Sequence, residues 1–377
     1  MSTEAVVAAV KESAAARSAL RIAGRGTWLD AGRPVKADGT LSLRDDTGAV
    51  SYVPGDLTLT VRAGTTLSEI ERITREHDQW LPLDPYGPPY GTIGATIATA
   101  SAGPLASSFG LPRDLVLGLE FVNGRGDVIR GGGKVVKNVA GFDLSRLMTG
   151  SWGTLGVITE VTLRLYALPR MDRTFAITLE GSEKHVASMI NALVTASLAP
   201  YALLLLSRSA SRGLGLGERS VCLMRFGGND SAVRAQLSAL SQLFMPEEVE
   251  TDVWTRLREL ERGAHTAIRI SGLTRRFLAV GAKILADDMP GIGTYVDPRR
   301  GILRLLAASD HEELMPNMSV DLRIEKSEST TVVYEKLDQQ VWRLLFPTEV
   351  LDPLSQGIKK AYDPFNILNP GIMGDLT

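Results

Sequence analysis

Gly91-Thr-Ile-Gly-Ala-Thr-Ile-Ala-Thr-Ala-Ser-Ala-Gly-Pro104 holds nothing larger than isoleucine, and its reading decides the fold. Three more short blocks follow it in the same stretch: Arg113-Asp-Leu-Val-Leu-Gly118, Lys137-Asn-Val-Ala-Gly-Phe-Asp143 and Gly150-Ser-Trp-Gly-Thr-Leu-Gly-Val-Ile-Thr-Glu160. Backbone bare of side chains lets a large flat ligand come close, and its N–H groups can then grip a diphosphate. Four such blocks in this order predict an extended dinucleotide lying along the protein.

The flanking chain reads as mixed α and β. Residues 3–17 are Ala-rich and predict a helix, and Ala19-Leu-Arg-Ile-Ala23 a short strand running into Gly24-Arg-Gly-Thr27. Alternation at Ala49–Val53 and Leu57–Ala63 predicts two strands separated by Pro54-Gly55. Thr66-Leu-Ser-Glu69 fits a capping box, so a helix should run from Leu67 to about His77. The small residues from Thr92 to Ala100 predict another helix. Leu115–Val122 and Asp127–Arg130 predict a hairpin around Asn123–Gly126, and Leu155–Leu165 a β-branched strand.

After Pro169 the character changes. Thr174–Leu179, Glu183–Val194 and Ala202–Leu206 read strand, helix, strand, and Val221–Phe226 precedes a helix at Ser231–Phe244. This is a second α+β unit of ferredoxin-like type. Gly213-Leu-Gly-Leu-Gly217 is expected to be a loop joining two strands. Leu351–Ala361 is expected to be a helix, and Asp363-Pro-Phe-Asn-Ile-Leu-Asn-Pro-Gly371 an ordered tail returning to the first domain. The expected domains are residues 1–169 and 170–377.

A chain of 377 residues exceeds the usual size of a single core. Its net charge of −2 gives no reason to propose nucleic acid or an anionic membrane as partner. One cysteine, Cys222 within Val221-Cys-Leu-Met224, excludes an internal disulfide and a cluster held by several thiolates of this chain; it reads as a small core residue. The longest apolar run, Tyr201–Leu206, falls well short of the roughly 20 residues a bilayer requires. No basic start precedes a long apolar segment, so a cytoplasmic location is expected, with docking to a membrane complex through partners left open.

Two familiar nucleotide folds fail. Gly24-Arg-Gly-Thr-Trp-Leu29 lacks the third glycine of the dinucleotide fingerprint, and Gly131-Gly-Gly-Lys134 has Val128 and Val135 where a phosphate loop needs Gly and Ser or Thr. The run from Gly91 to Pro169 instead resembles the PCMH-type FAD-binding domain of the vanillyl-alcohol oxidase class. More narrowly, Gly132-Gly-Lys-Val-Val-Lys-Asn-Val-Ala-Gly-Phe-Asp-Leu-Ser-Arg-Leu-Met-Thr-Gly-Ser-Trp-Gly-Thr-Leu-Gly-Val-Ile158 resembles the FAD-binding subunits of bacterial glycolate oxidases. The resemblance implies an α+β fold: a two-subdomain FAD-binding domain followed by a ferredoxin-like cap.

It also implies contacts. Gly24, Arg25, Gly26 and Thr27 take the first diphosphate loop, where Arg25 replaces the usual small residue and can add charge. Thr92, Ile93 and Gly94 open the helix whose N-terminus would face the diphosphate. Thr96 and Ser101, Ala102 and Gly103 would run beneath the flavin ring, with Tyr90 as a candidate for lining it. Gly156, Val157 and Ile158 match the strand that reads the adenine. Arg113 and Asp114, and Gly141 and Asp143, are further family positions. Tight helix-on-sheet packing also favours glycine, most evidently at Gly118, Gly150 and Gly153. Ala95 and Ala100 stand where relatives often have glycine. The first loop lacks the His or Cys used for covalent attachment, so FAD should be bound non-covalently.

Catalytic relatives carry a His-x-Gly-Asp-Gly-x-x-His segment, which this chain lacks; His185, His265 and His311 are scattered without ligand spacing. Arg225 and Arg269 interrupt apolar strands, where salt bridges on the sheet outweigh a substrate carboxylate. The resemblance implies a glycolate oxidase subunit carrying electrons from a small 2-hydroxy acid, with a catalytic sister flavoprotein and an iron–sulfur subunit as partners. A self-sufficient FAD dehydrogenase and a flavin-binding assembly module stand as alternatives.

Overall fold

A computed structural model describes residues 2–133, 143–286, 289, 291–308, 330–339, 341–342 and 352–374. The chain packs as two units. The first holds the described residues of 2–103, 109–168 and 352–374, and the second those of 104–108 and 169–342.

In chain order the first unit and its crossing carry α1 (Thr3–Ala16), β1 (Leu20–Ala23), β2 (Gly39–Ser42), β3 (Ala49–Val53), β4 (Thr58–Arg62), α2 (Leu67–Arg75) and β5 (Gln79–Trp80). They continue with α3 (Ile93–Thr99), α4 (Ala106–Phe109), α5 (Pro112–Leu115), β6 (Val116–Val122), β7 (Val128–Gly132), α6 (Leu144–Met148), β8 (Val157–Arg164) and β9 (Tyr166–Ala167). An antiparallel sheet runs β3-β4-β8-β6-β7, while β1 and β2 form a separate parallel pair. Strand alternation sets the layers: Leu59 and Val61, both fully buried, stand across the ladder from Leu163 and Val161. Between them Thr60 and Thr162 join their hydroxyls at 2.9 Å.

Local signals hold where they are strong. The Thr66 hydroxyl accepts from the Glu69 N–H at 3.1 Å and starts α2, which ends at Arg75, short of His77. Asn123 Oδ1 accepts from the N–H groups of Arg125 and Asp127, both at 2.9 Å, and so closes the β6–β7 hairpin. By contrast β2 offers one buried apolar residue, Leu41, and only its pairing with β1 makes it a strand.

The second unit carries β10 (Met171–Thr178), α7 (Glu183–Thr195), β11 (Ala202–Leu206), α8 (Arg208–Gly213), β12 (Val221–Gly228), α9 (Asp230–Leu243), β13 (Glu247–Val249) and α10 (Val253–Gly263). Then come β14 (Thr266–Ser271), α11 (Thr274–Ala286), β15 (Ile292–Asp297), β16 (Ile302–Ala307) and β17 (Thr331–Lys336). One sheet orders them β13-β10-β12-β11-β15-β16-β14-β17. Two strand–helix–strand–strand units, β10-α7-β11-β12 and β14-α11-β15-β16, meet where β11 pairs with β15. The loop at Gly213–Gly217 is a correction to the sequence reading: α8 intervenes, so it joins a helix to β12.

The apolar residues of α7, α9 and α11, among them Ile190, Leu240 and Phe277, bury one face of this sheet. Cys222 lies in that core, and burial pushes its thiol up. Arg225 pairs with Asp172 at 2.5 Å and Arg269 with Glu335 at 2.9 Å, so both arginines form sheet salt bridges. No helix among the described residues is long and apolar enough to cross a membrane. Gly141 with the rest of residues 137–142, and His311, lie outside the described residues.

Candidate functional site

The first unit carries an open groove with a cavity volume of about 100 Å³. Its walls come from the exit of β1, the start of α3, the loop before β8 and the C-terminal tail. The loop turns at Gly26, whose φ of +75° suits glycine. Gly24 permits a close approach: a Cβ there would lie 2.1 Å from the Thr92 hydroxyl. Gly94 has the same use, since its Cβ would lie 2.7 Å from that of Ala63. These glycines are packing glycines, and the contacts they allow shape the groove.

The backbone donors around the groove fall into two groups. The N–H groups of Ile93 and Gly94 donate to Thr65 O and Ala63 O, each at 2.9 Å, and that of Ala95 to Thr92 Oγ1 at 3.4 Å. The start of α3, expected to offer its donors to a diphosphate, therefore spends them within the protein. The N–H groups of Gly24, Arg25, Gly26 and Thr27 have no protein acceptor among the described residues. Successive backbone donors without a protein acceptor are the groups from which anion-binding concavities are built. The described lining contains no Asp or Glu and two arginines, Arg21 and Arg25.

Of the residues singled out from sequence, Gly24, Arg25, Gly26, Thr27, Thr92, Gly94, Gly156 and Ile158 line this groove together. Ala95 and Gly153 line it too, and the remaining expected contacts among the described residues stand apart from its lining. Ile93 and Val157 are fully buried core residues, and the Thr96 hydroxyl donates to Thr92 O at 3.0 Å. Ser101 Oγ accepts from Tyr86 N–H at 3.2 Å. Ala102 leads into Gly103, where the backbone passes so near Asp84 that a Cβ would lie 2.1 Å from its carbonyl oxygen. Asp114 accepts from Leu111 N–H at 2.9 Å and caps α5; beside it, Arg113 is exposed. Asp143 caps α6 by accepting from Arg146 N–H at 3.0 Å. Tyr90 is exposed and outside the described lining.

Asn369, passed over in the sequence, fastens three elements at the groove. Its Oδ1 accepts from Ile22 N–H at 2.7 Å, its Nδ2 donates to Trp152 O at 2.7 Å, and its own N–H donates to Leu20 O at 2.9 Å. The available signal was local: Asn369 holds a left-handed φ of 44°, which asparagine tolerates, just before Pro370-Gly371. Trp28, also in the wall, donates its indole N–H to Tyr86 O at 2.9 Å.

Residues 1–132 match the FAD binding domain family. The chain is 36% identical over 260 residues to glycolate oxidase subunit GlcE of Escherichia coli (strain K12), covering 68% of each protein. It is 28% identical over 356 residues to glycolate oxidase subunit GlcD of Bacillus subtilis (strain 168), covering 84% of this chain and 75% of that one. Among solved structures, p-cresol methylhydroxylase with substrate bound superposes at a TM-score of 0.71 and 16% identity, covering 99% of this chain and 87% of that one. Chitooligosaccharide oxidase gives 0.70 at 15% identity, covering 100% and 90% respectively. These two likenesses establish the fold.

Proposed function

The chain belongs to the FAD-binding oxidoreductase family that includes the glycolate oxidase subunits, and from that membership we propose that it is the FAD-binding subunit of a glycolate oxidase-type complex. FAD is its cofactor. The observation that carries the placement is the run of four unspent N–H groups from Gly24 to Thr27 along a groove whose described lining has no carboxylate. Their donors suit the diphosphate, and Gly156 and Ile158 line the same groove, where the adenine would lie. Bound FAD supplies two-electron redox chemistry; the chain's residues bind it, orient it and keep it from dissociating.

In this reading electrons from a small 2-hydroxy acid such as glycolate pass through the complex, with a catalytic sister flavoprotein and an iron–sulfur subunit as partners. The paired states of Arg225 and Arg269 support this division of labour, because both arginines are engaged by carboxylates of their own unit. Purified alone, the chain is expected to be yellow and to reduce an artificial acceptor with glycolate at a negligible rate. Adding the sister subunits should restore turnover. Robust turnover by the isolated chain would establish the self-sufficient dehydrogenase instead.

The groove's packing gives a second test. In Gly94→Ala the new methyl meets the Ala63 Cβ at 2.7 Å and the Ala63 carbonyl oxygen at 2.9 Å, and neither can swing away. Overpacking of this kind costs about 1–3 kcal/mol. Because Ala63 and Gly94 both line the groove, FAD affinity should fall along with the melting temperature. Flavin titration with thermal unfolding checks both, and unchanged values would contradict the packing argument.

A further inference from the structure

Arg21 lies on β1, outside the Gly24–Thr27 loop, and lines the same groove. One of its donors is spent: Nη2 donates to Leu29 O. The guanidinium is half-buried, yet it has no carboxylate within salt-bridge distance among the described residues. Burial pulls it below the ordinary arginine range, and the more distant charge of Asp30 opposes that. A partly desolvated guanidinium whose remaining N–H donors find no protein acceptor among the described residues is placed to meet an anion.

Arg25 stands on the same wall, exposed and likewise without an ion pair among the described residues. The described lining thus carries two positive charges and no negative one, in a chain whose net charge is −2. A diphosphate diester carries two negative charges, one on each phosphate, so the charge count of the groove is that of its ligand.

We infer that Arg21 and Arg25 form a two-arginine clamp on the cofactor's diphosphate, with Arg21 fixed in place by Leu29 O. This rests on the placement of FAD in the groove proposed above. Retention of the cofactor then has a large ionic part, beyond what backbone N–H groups provide.

The test is titration of FAD into the deflavinated full chain at low and high sodium chloride, with riboflavin, which lacks the diphosphate, as the comparison ligand. Arg21→Gln should weaken FAD binding by about tenfold or more at low salt and reduce the salt dependence of its Kd. Riboflavin binding should stay as in the parent chain. Arg21→Lys should recover part of the affinity, because it restores the charge without the planar fork. Wild-type FAD affinity and salt dependence in Arg21→Gln would overturn the clamp while leaving the cofactor placement intact. Equal weakening of riboflavin and FAD would also overturn it, since Arg21 would then be supporting the wall. Failure of the parent chain to bind FAD would overturn the placement and the clamp together.

Discussion

Asp363→Ala is expected to destabilise the first unit by about 3–5 kcal/mol, the cost of leaving a buried charge uncompensated. Asp363 is 1% exposed, and its Oδ2 lies 2.6 Å from Nζ of Lys359, itself 8% exposed. The same carboxylate accepts from the N–H groups of Ile367 at 3.2 Å and Leu368 at 2.8 Å. Lys359 also donates to Thr154 O at 2.8 Å and Leu368 O at 3.1 Å, so the pair ties the helix Pro353–Tyr362 and the tail to the loop before β8. Burial already pulls the Lys359 ammonium below the ordinary lysine range, and Asp363 is what opposes that pull.

Without Asp363 the pull strengthens, and the sign of the pH dependence follows. A folded-state lysine pKa below the unfolded value means that the unfolded chain binds more protons, so the variant's stability rises with pH until lysine titrates in the unfolded chain. Denaturant unfolding followed through Trp28 and Trp152 of the first unit measures both effects. Adding Lys359→Met should return part of the loss, since no unpaired charge remains. A loss well under 1 kcal/mol would show that the pair is not what anchors the tail. Asn369 follows directly, so FAD affinity should fall in step with stability.

Arg304→Met should have a comparable effect, about 3–5 kcal/mol, in the second unit. Arg304 is 2% exposed and holds two carboxylates: Glu261 through Nε at 2.5 Å and Nη2 at 2.6 Å, and Glu335 through Nη2 at 2.5 Å. Leu303 and Leu305 face the apolar core, so strand alternation sends Arg304 to the opposite face. Methionine approximates the lost volume but leaves fully buried Glu261 with only the Tyr295 hydroxyl among the described residues, while Glu335 keeps Arg269. Burial already raises Glu261 above the usual carboxylate range against the pull of Arg304. Removing that pull raises it further, so the variant should be most stable in mild acid and lose stability as pH rises through the raised value. Unfolding followed through Trp254 tests this, and Glu261→Gln in the same chain should flatten the pH dependence.

How much of this was legible in the sequence depended on the range of each contact. The Thr66 cap and the Asn123 turn were readable because donor and acceptor lie within a few residues. Two of the small-residue blocks reach the groove, through Thr92 and Gly94 and through Gly156 and Ile158, whereas the Gly24–Thr27 loop was singled out by the family resemblance. The N-terminus of α3 could not be read locally, because Thr65 and Ala63 come from the chain before it to take its donors. Asn369 was invisible for the opposite reason: its partner Ile22 is 347 positions away. Arg21 read as one polar residue in a short strand, and only the fold puts it in the wall of a groove whose described lining has no Asp or Glu. The Glu261–Arg304–Glu335 cluster joins three segments whose spacing carries no period.

Hydrogen exchange at the amides of Gly24, Arg25, Gly26 and Thr27, with and without FAD, probes the bound state most directly. These amides have no acceptor in the described protein, so they should exchange fast in the deflavinated chain and slow by about tenfold or more when the diphosphate takes them. Protection should extend to the neighbourhood of Gly156. If FAD binds and exchange across residues 24–27 stays as fast as before, the cofactor lies elsewhere, and the groove is not its site.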